Sequence, residues 1–184
     1  MTVMNPSPNL FLVGPTGAGK TSIGQRLAAH YGLPFVDLDV EIEARCGMPI
    51  ADLFAREGEA VFRAHECAHL DEFSRREGLV LATGAGAVLD AGNREVLASR
   101  GTVLMLAVDV DEQLERLRDD TARPLLAGPD RLARLRALAE HRTQLYEDVA
   151  DLIFHGRHES VDDAVPRAIA LLERHWKRDG WKRS

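Results

Sequence analysis

Three residue types in this chain could manage a phosphate chain: glycines whose backbone can approach closely, a lysine that supplies a point charge, and a hydroxyl that can hold a cation. They stand together in Gly14-Pro15-Thr16-Gly17-Ala18-Gly19-Lys20-Thr21, which fits G-x-x-x-x-G-K-[ST] in full and follows the apolar run Leu10-Phe11-Leu12-Val13. A buried strand feeding a glycine-rich turn and then a helix aims successive backbone N–H groups at phosphates. The segment therefore points to nucleoside triphosphate binding, with Gly14, Gly17, Ala18, Gly19, Lys20, Thr21 and Ser22 around the phosphates. Lys20 would reach the β/γ oxygens of ATP and assist transfer, while Thr21 would ligate Mg²⁺.

Further polar residues fall where later strands should end. Phe35-Val36-Asp37-Leu38-Asp39 reads as a second strand whose alternation turns both aspartates to one side. Bare carboxylates would repel ATP, so Asp37 is expected to serve Mg²⁺ through its waters, and Asp39 a hydroxyl acceptor as hydrogen-bond partner or base. Asp39 also precedes Val40-Glu41-Ile42-Glu43, where it could cap a helix, but its place at a strand end favours the chemical role. Arg63 and Glu66, three apart, would share a helix face, letting the carboxylate orient the guanidinium. A third strand, residues 79–82, runs into Thr83-Gly84-Ala85-Gly86-Ala87, a small-residue turn that a ligand can approach.

These residues need a frame. Apolar runs at 10–13, 35–36, 79–82, 103–108 and 152–154 alternate with amphipathic stretches, among them Leu114 and Leu117, then Leu132, Leu135 and Leu138. Continuous apolar strands belong to parallel sheets buried on both faces, so the expectation is an α/β, three-layer, doubly wound sheet of about five strands. At 184 residues, one domain spans the chain, with residues 31–75 as the substrate-binding segment. Residues 121–130 carry two prolines and a glycine between helices and read as a lid; residues 174–184, basic with two tryptophans, read as a frayed, flexible tail.

Composition narrows the class. Charged residues at 28% and hydrophobic ones at 45% are ordinary for a globular protein, and a formal charge of −6 argues against general nucleic-acid binding. Residues 1–9 are polar, without a basic n-region or long apolar stretch, so neither export nor a membrane partner is expected. Cys46 and Cys67 fit no metal spacing and read as reduced thiols of a cytoplasmic protein. A monomer acting on a small molecule is the expected state.

Together GPTGAGKT, FVDLDVEIE, the F-x-x-x-G-E-x-x-F-R-x-x-E spacing of residues 54–66, LATGAGAV, ARPLL and the R-x-x-LYEDVAD that begins at Arg142 resemble the shikimate kinase family, a branch of the nucleoside-monophosphate-kinase-like phosphate-loop proteins. The resemblance runs from about residue 9 to about residue 170 and implies a P-loop kinase fold with a lid. It also implies transfer of the ATP γ-phosphoryl group to the 3-hydroxyl of shikimate, with Mg²⁺, in aromatic amino-acid biosynthesis. Position by position, Asp39, Arg63 and Arg142 match the shikimate-binding aspartate and arginines, with Gly84, Ala85 and Gly86 as the turn against shikimate. Arg123 matches the lid arginine over the transferring phosphoryl, and Arg116 the arginine stacked on adenine. Arginine forks suit the single carboxylate of shikimate, and a carboxylate can order its hydroxyls.

Two positions depart from the family pattern. Ala85 stands in a turn that is usually Gly-Gly-Gly; a positive φ there would cost roughly 1 kcal/mol or more, a negative φ only crowding. Gln144 replaces the usual proline before Leu145-Tyr146, which affects local stiffness alone. Direct in-line transfer is expected, with positioning and charge neutralisation carrying the rate. A kinase of another small hydroxy acid such as gluconate, or a non-catalytic nucleotide-binding regulator favoured only by Ala85, remain the alternatives.

Overall fold

The computed structural model describes residues 7–118 and 130–176. The chain begins with strand β1, Leu10–Val13, whose four side chains are all buried because both faces of the strand are covered. Leu10 and Leu12 enter one apolar layer with Ile23, Leu27, Leu104 and Leu172; Phe11 and Val13 enter the other with Leu70, Leu81, Leu97 and Tyr146. A period of two divided between two layers is why the run looks uniformly apolar in sequence.

Helix α1 is Lys20–Tyr31, then β2 Phe35–Asp37, α2 Leu38–Cys46, α3 Ile50–Glu57 and α4 Glu59–Ser74. Strand β3, Val80–Ala82, leads through a 3₁₀ turn at Ala87–Leu89 to α5, Ala91–Arg100, and β4, Thr102–Ala107. Helices α6, Val110–Arg116, and α7, Arg131–Val149, precede β5, Leu152–His155, and α8, Val161–His175. The sheet is parallel throughout in the order β2-β3-β1-β4-β5, with Leu10 beside Val80 and Thr102, and Leu104 beside Leu152. The carboxyl ends of β2, β3, β1 and β4 therefore converge on one edge, where doubly wound sheets place ligands.

Two sequence expectations change. Strand β2 stops at Asp37, and Asp39 lies in the first turn of α2 instead of on the strand. The Asp37 carboxylate accepts from the Asp39 and Val40 N–H groups, ending the strand by capping the helix. Nor is Trp176 frayed: it is buried, donates from Nε1 to the Ser7 carbonyl at 2.9 Å and meets Tyr31 edge to face. Residues 177–184 lie outside the described residues. Among the described residues, no helix is long and apolar enough to cross a membrane, and Cys46 and Cys67 are free thiols.

Candidate active site

The phosphate loop is shaped by backbone that side chains would obstruct. Gly14, Gly17 and Gly19 have φ of 140°, 77° and 89°, a region that residues with a Cβ rarely adopt. Gly19 caps α1, so the first-turn N–H groups of that helix face the loop. Lys20 Nζ folds back to the carbonyls of Gly14 and Pro15 at 2.7 and 3.0 Å, and the Ala18 N–H closes the loop onto Pro15 at 3.2 Å. A cavity of about 300 Å³ beside it is lined by Gly17, Gly19, Lys20, Thr21, Ser22, Asp37, Asp39, Thr83, Ala85 and Arg116. The loop expected from the motif thus shares one opening with both aspartates. Gly14 and Ala18 support the loop from behind, being buried.

Thr21 Oγ1 donates to Asp37 Oδ2 at 2.5 Å, while Asp37 Oδ1 is engaged by the α2 cap. This pair presents two hard oxygens at the mouth of the phosphate loop, a donor set that suits Mg²⁺. Asp39, two residues on in the first turn of α2, lines the same cavity.

Around the turn after β3, α4 supplies a charged layer. Gly58, with φ 88°, separates α3 from α4, so the predicted Arg63–Glu66 pair starts on a fresh helix. Arg63 Nη1 donates to Glu66 Oε2 at 2.8 Å and Arg63 Nη2 to Glu59 Oε1 at 3.0 Å. Burial pulls the Arg63 guanidinium down, but Glu66 and Glu59 outweigh it and hold it above its ordinary value. Glu66, 1% exposed, is pushed up by burial against the pull of Arg63, with Asp39 adding to the rise. Its second oxygen, Oε1, has no hydrogen-bond partner among the described residues.

These groups wall the turn after β3. A methyl group on Gly84 would lie 2.7 Å from Glu66 Oε1 and 3.0 Å from Asp39 Oδ1, and one on Gly86 would collide with the Arg63 guanidinium. A side chain at either flanking position would thus displace the charged groups that wall the turn. Ala85 between them has no positive φ, which leaves His158 as the one such non-glycine among the described residues. The methyl group therefore costs no backbone strain, and of the two outcomes left open by sequence only crowding applies. Ala85 also borders a second cavity of about 420 Å³, lined by Arg142, Tyr146, Leu135 and Leu138 among others. Arg142 is buried on α7, and Gln144 is exposed on the same unbroken helix, donating to Asp148 at 2.8 Å.

Sequence reading missed several contributors. Gln113 Nε2 donates to the Thr16 carbonyl at 2.8 Å, Arg116 Nη1 to the Gly17 carbonyl at 3.0 Å, and buried Glu112 pairs with Arg116 Nη2. Helix α6 thereby grips the phosphate loop by its carbonyls. Arg116 was expected beside adenine and not at a loop carbonyl; the i,i+4 spacing of Glu112 and Arg116 is the signal that could have found their pairing. Tyr146, whose hydroxyl donates to the Ala85 carbonyl at 2.5 Å, lay inside a quoted motif but carried no assigned role. Arg123 and residues 121–129 of the expected lid lie outside the described residues.

A family model described as shikimate kinase matches residues 16–173. Shikimate kinase of Stenotrophomonas maltophilia (strain K279a) is 46% identical over 175 residues, 95% of this chain and 97% of that protein. Shikimate kinase of Xanthomonas axonopodis pv. citri (strain 306) is 46% identical over 174 residues, with the same coverage of both chains. Among solved structures, shikimate kinase from Acinetobacter baumannii in complex with shikimate matches with a TM-score of 0.88 at 41% identity, over 91% of this chain and 94% of that one.

Proposed function

From the premise that this chain belongs to the shikimate kinase family, we propose how its own residues divide the work of the reaction. The chain is an ATP-dependent kinase that phosphorylates shikimate in aromatic amino-acid biosynthesis. The acceptor oxygen we assign is the 3-hydroxyl, giving shikimate 3-phosphate and ADP. The observation that carries the assignment is the walling of the Gly84–Gly86 turn by Asp39, Glu66 and Arg63 beside the cavity of the phosphate loop.

In this reading the loop N–H groups, Lys20 and Ser22 hold the phosphates, and Lys20 leaves its loop carbonyls for the β/γ oxygens as charge shifts toward the leaving group. Thr21 and Asp37 would hold Mg²⁺, which supplies charge neutralisation on the β- and γ-phosphates. Arg63, held by Glu66 and Glu59, and Arg142 from α7 take the acceptor carboxylate as forks. Asp39 orders the reacting hydroxyl and receives its proton or hydrogen bond, a role favoured by its place in the cavity of the phosphate loop. Arg116 is the candidate neighbour of adenine, and Arg123 of the transferring phosphoryl. Exposed large hydrophobics among the described residues are Val40 and Ile153, which fits a monomer, and two free thiols fit a cytoplasmic location.

ADP release with shikimate, with gluconate and with neither tests the acceptor: stimulation by shikimate alone is expected, and equal stimulation by gluconate would overturn it. Within the same assay Asp39→Asn should retain ATP binding and lose transfer. Near-normal kcat in that variant would remove Asp39 from the chemistry.

A further inference from the structure

Tyr146 is 2% exposed, and its ring belongs to the apolar layer that holds Phe11, Val103 and Met105. That packing needs a ring and has no use for a hydroxyl. The hydroxyl instead crosses to a carbonyl 61 residues earlier, donating to Ala85 at 2.5 Å. Ala85 lies between two glycines, so its peptide groups have little side-chain bulk to hold them in one orientation. The Ala85–Gly86 peptide is trans, since the described chain has no cis bond, and its C=O and N–H lie antiparallel. Holding the carbonyl toward α7 therefore turns the Gly86 N–H to the opposite face of the turn. Tyr146 also stands one helical turn after Arg142, and the two side chains interact. One phenol thus joins the helix that carries Arg142 to the turn that Arg63 overlies.

We propose that Tyr146 is a positioning residue for the acceptor: its hydroxyl holds the Ala85–Gly86 peptide in one orientation and sets the spacing between that turn and Arg142. The proposal rests on the assignment above of Arg142 and the Gly84–Gly86 turn to shikimate. Ala85, which borders both cavities, is where such an anchor would act on both. Burial pushes the phenol up to about 12, so the donor keeps its proton throughout the working range of pH.

Tyr146→Phe keeps the ring and deletes the anchor. In a variant shown to be folded by wild-type ADP affinity, KM for shikimate should rise about tenfold while KM for ATP stays within about twofold, an effect that general loosening would spread over both substrates. In combination with Arg142→Lys, the increase in shikimate KM should fall short of the product of the single effects, because both act on one spacing. Unchanged shikimate KM in Tyr146→Phe, or an equal rise for ATP, overturns the proposal alone; a wild-type enzyme inert toward shikimate overturns the acceptor reading and the proposal with it. Should Tyr146→Phe not fold, 3-fluorotyrosine in a Tyr31→Phe background confines the change to position 146, making the phenol more acidic while keeping the ring and hydroxyl. It should then shift shikimate KM and spare ATP; identical constants would overturn the anchor.

Discussion

Asn9 and Glu66 are both buried polar side chains, 4% and 1% exposed, at opposite ends of the same sheet. Asn9, just before β1, accepts from the N–H groups of Gly78 and Leu79 at 2.8 and 3.2 Å and donates to the carbonyls of Arg76 and Arg100 at 2.8 and 3.2 Å. Its amide is satisfied on both sides, and it ties the start of β1 to the segments before β3 and β4. Glu66, at the other end, spends one oxygen on Arg63, and among the described residues Oε1 has no partner, nor has Nε of Arg142. A polar group satisfied by the protein stabilises the fold; one left with bonding capacity in a low-dielectric wall is costly unless a ligand uses it. The amino-terminal end is satisfied by the protein itself, and the carboxyl-terminal end holds bonding capacity of the kind that the proposed acceptor would use.

The comparison can be broken most severely at the phosphate loop. Lys20→Ala should lower kcat by on the order of 10³ or more while the thermal midpoint stays near wild type, as read by steady-state kinetics and calorimetry. A residual kcat within tenfold of wild type would contradict the role of Lys20. The opposite pattern is expected for Asn9→Ala, which should cost about 2–4 kcal/mol of stability by orphaning buried backbone groups, with kinetic constants of the folded enzyme unchanged. Chemical denaturation measures this, and a loss below about 1 kcal/mol would mean the seal carries little.

Tyr146 tests whether the site end also contributes to stability. Burial raises its phenol from 10.0 to about 12, so the fold favours the protonated form; that contribution is complete below pH 10 and is lost as the pH rises through 12. Over that window, wild type should lose about 2–3 kcal/mol more than Tyr146→Phe, measured by unfolding at stepped pH. Parallel curves would mean that the phenol titrates normally. The smallest effect is expected from Ala85→Gly: with no positive φ to relieve, kcat/KM should change by less than tenfold. A larger rise would mean that the methyl group obstructs the acceptor.

Much of the frame was legible because parallel strands covered on both faces are apolar along their length, as at Leu10–Val13 and at residues 103–106 of β4. Less legible was the segment VDLDVE, which offers two aspartates as helix cap; the choice of Asp37 depends on where β2 ends its pairing with β3, at Asp37 beside Ala82, and local pattern carries no such information. Trp176 was misread because a basic tail composition says nothing about Ser7 and Tyr31, far away in sequence, that receive its ring.

The chain's own order of residues determined the phosphate loop, the Arg63–Glu66 pair and the parallel sheet, because each rests on local spacing or on a period of side chains along one element. Tertiary structure alone decided that Gln113 and Arg116 grip the loop carbonyls, that Tyr146 reaches Ala85, and that a methyl group on Gly84 or Gly86 would meet the side chains of Glu66, Asp39 or Arg63. Those facts join residues about 20 to nearly 100 positions apart, and only the converging ends of the parallel strands bring them into contact.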